Sequence, residues 1–316
     1  MPATSVFLWS KINVDKSTIM WYNPIWLTNQ QKEKRKMAIK ILVDSASDIT
    51  EKEAREMGIE MIPMTVSFGS EEFFDGVTIT HEEFYKRLKE SKSLPHTSQI
   101  SPVRFEEKFK EMTKNGDSVI AILLSSKLSG TYQNAVMASK SFKNVYVIDS
   151  LSATVGERLL CIYAQGLIAQ GLEIGEIVKE LHMAKCRLNI MALLDTLEYL
   201  KKGGRISAVT AFVGTALSVK PVVSVIDGEV KQLAKALGSK MGQSRLSTLA
   251  KEKGIDFTMP YAVIYSSEGE ELLDSYIKNN EQLWKGHTEF IPRHMVGGTI
   301  GTHIGPGAIG VCFFSK

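Results

Sequence analysis

Short apolar segments alternate with segments of helical periodicity along most of this chain, and no other sequence feature restricts its fold as strongly. The predicted strands are 39–44, 60–67, 118–124, 144–148, 188–194, 221–226, 261–265 and 308–314. The predicted helices are 50–57, 81–90, 102–114, 130–141, 155–170, 173–186, 239–252 and 268–283. Such alternation predicts an α/β fold with a largely parallel sheet, because the helices connect strands that run in the same direction.

The length of the chain favours two lobes, since its 316 residues exceed the roughly 100–200 residues of one domain. Two consecutive helices near 155–186 interrupt the series. We therefore predict an N-terminal α/β lobe over 37–160, with the largely parallel sheet, and a C-terminal α/β lobe over 161–316. Asp75-Gly76 and Asp227-Gly228 are typical of hairpin turns and predict a small antiparallel part in each lobe. A ligand is expected between the lobes, beyond the carboxyl ends of the parallel strands.

The first 36 residues differ in character from the rest of the chain. They contain three of the four tryptophans and the basic run 32–36, whereas an apolar strand begins just after Met37. The segment 1–36 lacks the apolar core and the cleavage site of a secretory signal. Lysine and glutamate codons are purine-rich and resemble a bacterial ribosome-binding sequence, so we expect translation to start at Met37. The alternative is a membrane-surface anchor, which the segregation of apolar and basic residues disfavours.

Charge and cysteine content narrow the classes of function. The net charge of the chain is +3, but residues 1–36 hold six basic and two acidic residues. The rest of the chain therefore carries a net charge of −1, and it has no excess of basic residues for binding nucleic acid. No apolar run approaches the ~18 residues of a membrane-spanning helix. Cys161, Cys186 and Cys312 are far apart, which argues against disulfides and zinc and predicts three small buried side chains. These features predict a cytoplasmic protein.

Several motifs of known chemistry are absent or out of place. Gly305–Gly310 matches G-x-G-x-x-G, but a dinucleotide site needs a following helix and an acidic residue about 20 positions later. Here the glycines lead into a predicted strand. The sequence contains no G-x-x-x-x-G-K-[S/T], no H-E-x-x-H and no G-x-S-x-G. We therefore expect no cofactor and no metal.

Asp44 and Asp48 follow the first predicted strand directly. Two carboxylates four residues apart, with serines between them, are one possible metal site. The favoured interpretation is that Asp48 caps the next helix and Asp44 holds the loop through backbone N–H groups.

Two loops rich in hydroxyl groups are the strongest candidates for a binding site. Thr97-Ser98-Gln99 lies just before a helix that opens at Pro102, and Ser125–Thr131 leads from a strand into a helix. Hydroxyl and N–H groups at helix starts favour an anion. Capping and turn formation are the alternative role, but the second loop has four hydroxyls in seven residues, including Ser126 and Ser129.

Two further groups are weaker candidates. His303 lies in a glycine-rich segment and can donate a hydrogen bond to a carboxylate or a hydroxyl, although a lone histidine is more often structural. Lys201, Lys202 and Arg205 crowd a glycine-containing loop. These cations suit a helix C-terminus, and they equally suit an anionic substrate or partner.

Seven short motifs follow one another along the chain. They are Asp44–Asp48, Thr97–Gln99, Ser125–Tyr132, Val147–Ser150, Thr196–Ser207, Val219–Pro221 and Ile300–Ala308. Together, and in this order, they resemble the bacterial DegV family of fatty-acid-binding proteins. The resemblance extends over about residues 39–314 and includes none of the first 36 residues.

The resemblance implies a two-lobed α/β fold with a long-chain fatty acid between the lobes and its tail in an apolar tunnel. Thr97 and Ser129 would hold the carboxylate, and His303 would complete the site. It also implies a partner, a separate fatty-acid kinase that converts the carboxylate to an acyl phosphate for phospholipid synthesis. The candidate contacts with ligand or partner are Ser98, Ser126 and Arg205, the last of them near the phosphate or the kinase surface.

Two positions depart from the usual pattern of the family. Ile100 occupies a position where proline is common, which bears on the stiffness of the head-group loop. Leu151 occupies a position where a basic residue is common, so no charge contact is expected from that loop.

Two functions from different classes agree with these residues. The favoured one is a non-catalytic lipid carrier, in which hydroxyls and an imidazole supply the several donors that a buried carboxylate needs. The alternative is a serine hydrolase that acts on acyl esters, with Ser129 as nucleophile and His303 as base.

Overall fold

A computed structural model describes residues 37–206, 218–287 and 290–316 of the chain. The extension 1–36 and Ser207, which ends one of the seven motifs, lie outside the described residues. Within the described part the fold is α/β, with one parallel sheet, a second larger sheet and a small third sheet.

The first sheet is parallel throughout and has the order β2-β1-β6-β7. Its strands are β1 (Ile39–Asp44), β2 (Glu60–Ile62), β6 (Ser118–Leu123) and β7 (Val145–Asp149). Helices cover both faces, which is why β1 and β6 are almost continuous apolar runs. The polar loops that follow β1, β6 and β7 meet at its carboxyl edge, as predicted.

The second sheet has the order β10-β9-β8-β13-β11-β12 and is antiparallel except for the pair β11–β12. Its strands are β8 (Leu188–Leu193), β9 (Val219–Ile226), β10 (Glu229–Leu237), β11 (Tyr261–Ser266), β12 (Arg293–Met295) and β13 (Ala308–Phe314). Asp227 and Gly228 join β9 to β10 with positive φ at both residues, so the hairpin predicted there is confirmed.

The third sheet is antiparallel and consists of β4 (Glu71–Phe74), β3 (Thr65–Phe68) and β5 (His96–Ser98), in that order. It corrects two predictions. The strand predicted over 60–67 is two strands in different sheets, separated at Pro63-Met64. The β3–β4 turn lies at Gly69-Ser70 rather than at Asp75-Gly76, because Gly69 supplies the positive φ of the turn.

Ten α-helices occur within the described residues. They are α1 (Glu51–Met57), α2 (His81–Glu90), α3 (Pro102–Thr113), α4 (Thr131–Ser139), α5 (Val155–Ala169), α6 (Ile174–Ala184), α7 (Glu198–Lys202), α8 (Gly238–Lys253), α9 (Glu271–Asn279) and α10 (Gly298–Ile304). Helix α2 begins with a capping box at Thr80 and Glu83, and α1 begins with another at Thr50 and Glu53. The helix predicted over 268–283 ends at Asn279, and a short 3₁₀ turn follows.

Helix α5 lies between the two large sheets and contacts both of them. Ten of its fifteen residues are buried, so it has no solvent-facing side over most of its length. The boundary that the sequence analysis places between the two lobes, at residues 160 and 161, falls inside this helix. The apolar core is likewise continuous, since one buried cluster joins Leu42 and Ile120 of the first sheet to Ile264 and Phe314 of the second.

The three cysteines differ in exposure. Cys161 and Cys312 are buried, as predicted, whereas Cys186 is exposed just after α6 and its thiol faces the carbonyl of His182. The prediction of three buried cysteines is therefore wrong for Cys186, because the end of α6 is solvent-facing. Of the helices in the described ranges, none combines the length and the apolar character that crossing a bilayer requires.

Candidate ligand-binding site

A cavity of about 370 Å³ lies between the lobes. Its wall is mostly apolar and draws on Leu124 from the first lobe, on α10, and on the strands β8 to β11. Representative side chains from the second sheet are Ile190, Val223 and Ile264. The volume lies in the lower part of the range of roughly 300–1,000 Å³ found for small-molecule sites.

Five of the six predicted site residues line this one cavity: Thr97, Ser98, Ser129, Arg205 and His303. Thr97 and Ser98 lie on β5, Ser129 precedes α4, Arg205 follows α7 and His303 lies near the end of α10. The fold therefore brings together side chains from four separate segments. Ser126 is not part of the cavity wall, and its backbone N–H donates to Asp149 at 3.1 Å.

Thr97 and His303 are in direct contact. Oγ1 of Thr97 lies 2.9 Å from Nε2 of His303. Burial is the main cause that lowers the pKa of His303 to about 4, with a smaller contribution from the nearby Arg205. The imidazole is therefore neutral at pH 7. Its Nδ1 atom is buried against Gly203 and has no hydrogen-bond partner among the residues that the structure describes.

Ser129 belongs to a chain of hydrogen bonds that begins at Ile100. The N–H of Ile100 donates to Oγ1 of Thr131 at 3.3 Å, and Oγ1 of Thr131 lies 2.9 Å from Oγ of Ser129. The N–H of Thr131 also donates to Oγ of Ser129, at 3.2 Å. A proline at position 100 has no N–H to donate. The departure at Ile100 thus supplies a donor that fixes the two hydroxyls.

Arg205 lies in the loop after α7 and lines the same cavity. Its Nε donates to the carbonyl of Leu128 at 3.2 Å, and its Nη1 donates to the carbonyl of Gly203 at 2.7 Å. The side chain is nevertheless exposed, as are Lys201 and Lys202. These three cations lie on the outside of the molecule next to the cavity wall.

A second link between the lobes runs through the loop after β6. Oγ of Ser125 donates to the carbonyl of Gly228, at the tip of the β9–β10 hairpin, at 2.7 Å. Leu151, with positive φ, packs close to the same tip. The loop that carries Ser129 is thereby fixed to the second lobe. Leu151 places an apolar side chain next to this hairpin tip.

The favoured interpretation of Asp44 is confirmed, and that of Asp48 is wrong. Asp44 accepts hydrogen bonds from the N–H groups of Ala46 and Leu124, both at 2.9 Å. Helix α1 is capped by Thr50 instead of Asp48. Asp48 instead accepts from the N–H of Gly297 at 2.8 Å and from the hydroxyl of Thr154. Asp48 therefore links its loop to Gly297, which lies 249 residues away in sequence.

Burial strongly affects the buried carboxyl groups of this region. It raises the pKa of Asp44 to about 6 and that of Asp48 to about 7, against the lowering effect of the N–H groups that they bind. Burial also raises the pKa of Glu157 on α5 well above its usual range, and both aspartates add to this shift. No group of three or more histidine, cysteine, aspartate or glutamate side chains in the described ranges is arranged to hold a metal ion.

Sequence reasoning missed two residues that organise the site. Asp75 binds the N-terminus of α10, and Thr131 binds Ser129. Asp75 was missed because Asp75-Gly76 has the sequence of a turn, which already accounts for an aspartate at that position. The second was visible as one of four hydroxyls in its loop, but nothing in the local pattern distinguished it from the others.

Comparison with known proteins agrees with this architecture. The family model described as "Uncharacterised protein, DegV family" matches residues 38–316. The chain belongs to the DegV family. A DegV domain-containing protein of Caldanaerobacter subterraneus subsp. tengcongensis is 38% identical over 283 residues, which cover 88% of this chain and 99% of that protein. The chain therefore corresponds to nearly the full length of this DegV relative.

Solved structures of DegV proteins share the fold. One is a fatty-acid-binding DegV family protein from Thermus thermophilus, which superposes with a TM-score of 0.80 at 28% sequence identity. The match covers 89% of this chain and 100% of that protein. A stearic acid-binding protein from Eubacterium ventriosum superposes with a TM-score of 0.77 at 26% sequence identity. That match covers 88% of this chain and 98% of the other protein. Each of these two proteins is described as binding a fatty acid, and each shares the fold of this chain.

Proposed function

We propose that this DegV-family chain binds a long-chain fatty acid in the cavity between the lobes, with the carboxylate against Thr97, Ser129 and His303. One observation carries the proposal: these three polar side chains, from three separate segments, share the wall of a mostly apolar cavity. Each CH₂ group of the tail that leaves water contributes about 0.8 kcal/mol, so an apolar cavity favours a long alkyl chain.

The hydrogen bonds within the wall suit a carboxylate acceptor. When the hydroxyl of Thr131 donates to Oγ of Ser129, the hydroxyl proton of Ser129 remains for a ligand. The low pKa of His303 keeps its ring neutral, so it offers a hydrogen bond without a full charge. Such donors offset the cost of burying the carboxylate and leave it chemically intact.

The contacts favour a carrier over a hydrolase. A serine nucleophile needs a base within hydrogen-bond reach. Ser129 is bonded to Thr131, and Nε2 of His303 is bonded to Thr97. We therefore assign the chain a non-catalytic role, in which Ser129 is a donor to the ligand.

Extraction of the purified protein tests this function. Organic extract analysed by mass spectrometry should contain a fatty acid in about one-to-one ratio to protein. Purified protein that is then delipidated should bind added stearate or oleate in the same one-to-one ratio. A chain that takes up neither acid, and that turns over acyl esters in a manner abolished by Ser129→Ala, would contradict the carrier and support the hydrolase.

We further propose that the carrier acts in the cytoplasm and presents the carboxylate to a fatty-acid kinase, which forms an acyl phosphate for phospholipid synthesis. The support is the exposed group of Lys201, Lys202 and Arg205 beside the cavity wall. ATP and the acyl phosphate product are both anionic, so these cations suit a contact with the phosphate groups.

The charge of Arg205 should matter more to phosphorylation than to ligand binding. At limiting carrier, Arg205→Ala is expected to slow acyl phosphate formation about tenfold, a common loss for an arginine at the centre of an interface. Fatty-acid affinity, measured in parallel, should fall by a smaller factor. Arg55→Ala, which removes an exposed arginine on α1, is the matched control. Equal phosphorylation rates for Arg205→Ala and the parent would remove this role.

A further inference from the structure

The N-terminus of α10 is bound by two carboxylates of the first lobe. Oδ1 of Asp75 accepts from the N–H of Gly298 and Oδ2 accepts from the N–H of Thr299, both at 2.8 Å. Oδ1 of Asp48 accepts from the N–H of Gly297 at 2.8 Å. Both aspartates are only 1% exposed. Three N–H groups that the helix itself cannot satisfy therefore have buried carboxyl oxygens as acceptors.

Helix α10 connects this anchor to the proposed ligand site. Thr299, Ile300, His303 and Ile304 all line the cavity. On its other side α10 packs closely on α2, and a Cβ atom at Gly301 would lie 2.6 Å from Phe84 and 2.9 Å from the hydroxyl of Tyr85. The helix has only seven residues, so a displacement at its first turn carries His303 with it.

The same small sheet holds both ends of α10. Asp75 directly follows β4 and binds the first turn, while Thr97 on β5 binds His303. Strands β4 and β5 lie on either side of β3, so they are separated by about 10 Å. Gly298 and His303 are five residues apart, which corresponds to roughly 7.5 Å along a helix. Helix α10 also contacts β3 and β5 of this sheet.

We propose that Asp75 is a positioning residue for the carboxylate site: its two hydrogen bonds fix α10 along its axis, so that the imidazole of His303 lies against Thr97. The inference rests on the proposed function, because it explains how the head-group contacts are held in place. Asp75 touches neither the cavity nor His303, and it acts only through the helix.

Asp75→Asn tests the proposal with little change in volume. The amide of asparagine has only one acceptor oxygen, so its NH₂ group would face one of the two backbone N–H groups and could not accept its hydrogen bond. Stearate affinity is expected to fall about tenfold, equivalent to one lost charge-assisted hydrogen bond. Asp117→Asn is the matched control, because Asp117 is also 1% exposed in the first lobe and accepts a backbone N–H, from Ala38, away from α10.

The second measurement is the NMR titration of the His303 ring in the empty protein, with the signal assigned by its loss in His303→Gln. In Asp75→Asn the ring should leave Thr97, become hydrated and titrate closer to an ordinary histidine, whereas Asp117→Asn should match the parent. Gly298→Ala supplies a milder displacement, since its Cβ would lie 3.1 Å from Oδ1 of Asp75 and 3.0 Å from Phe84. It should shift the signal in the same direction.

The two measurements separate the two ideas. If the parent binds no fatty acid, the proposed function fails, while the His303 titration still tests the positioning role. If the titration is unchanged in both Asp75→Asn and Gly298→Ala, or if Asp117→Asn shifts it equally, the positioning role is overturned.

Discussion

Removing the hydroxyl of Thr97 is expected to weaken fatty-acid binding by about 1–3 kcal/mol, the usual cost of taking a partner from a buried charged group. Thr97→Ala removes a donor to the carboxylate and also the contact of Thr97 with His303. Ser129→Ala should cost a similar amount, because it removes the hydroxyl that Ser129 offers to the carboxylate. Calorimetric titration of delipidated protein with stearate measures both effects.

The control for these variants is a hydroxyl outside the cavity. Thr248→Ala removes an exposed threonine of α8 that bonds only locally, to the carbonyl of Ser244, and its affinity should equal that of the parent. The melting temperature of the empty form should barely change in all three variants. Unchanged stearate affinity in both Thr97→Ala and Ser129→Ala would show that the carboxylate binds elsewhere.

Gly310→Ala is expected to lower the free energy of unfolding by about 1–3 kcal/mol, the range for overpacking a dense core. Gly310 lies on β13 between β8 and β11. A Cβ atom there would lie 2.7 Å from the carbonyl oxygen of Met191 and 2.8 Å from Cγ1 of Ile264. Because Ile264 lines the cavity, its displacement should also weaken stearate binding. Urea titration measures the change in stability.

Gly175→Ala is the matched control for that substitution. A Cβ atom at Gly175 in α6 meets nothing within 4 Å, and alanine has the higher helix propensity. This variant should be as stable as the parent or slightly more stable. Equal urea midpoints for Gly310→Ala and Gly175→Ala would mean that the sheet around β13 tolerates a methyl group.

The parts of the fold that were predicted are those with a strong local signal. Buried strands such as Ile39–Asp44 and Ala308–Phe314 are nearly continuous apolar runs, and α2 has both a capping box and an amphipathic pattern. Helix α10 was not predicted. The sequence of α10, Gly-Gly-Thr-Ile-Gly-Thr-His-Ile from Gly297, has low helix propensity. Its structure depends on acceptors from the other lobe, which no local pattern reveals.

The polar part of the site was easier to predict than its apolar part. Thr97, Ser129 and His303 stand out because hydroxyls and an imidazole lie in loops or glycine-rich segments. The apolar wall does not, since Ile190 and Val223 have the pattern of any buried strand. Asp75 could not be identified either, because its partners are 223 and 224 residues away in sequence.

The position of α5 has a consequence for dividing the chain. A cut between Leu160 and Cys161 would give each fragment part of a helix that is buried against both sheets. Neither fragment would bury its own apolar surface, and neither would contain the whole cavity wall. A molecule bound in that cavity contacts residues from both fragments, so it stabilises the intact chain as a single cooperative unit. Ligand retention is therefore a property that only the undivided polypeptide can have.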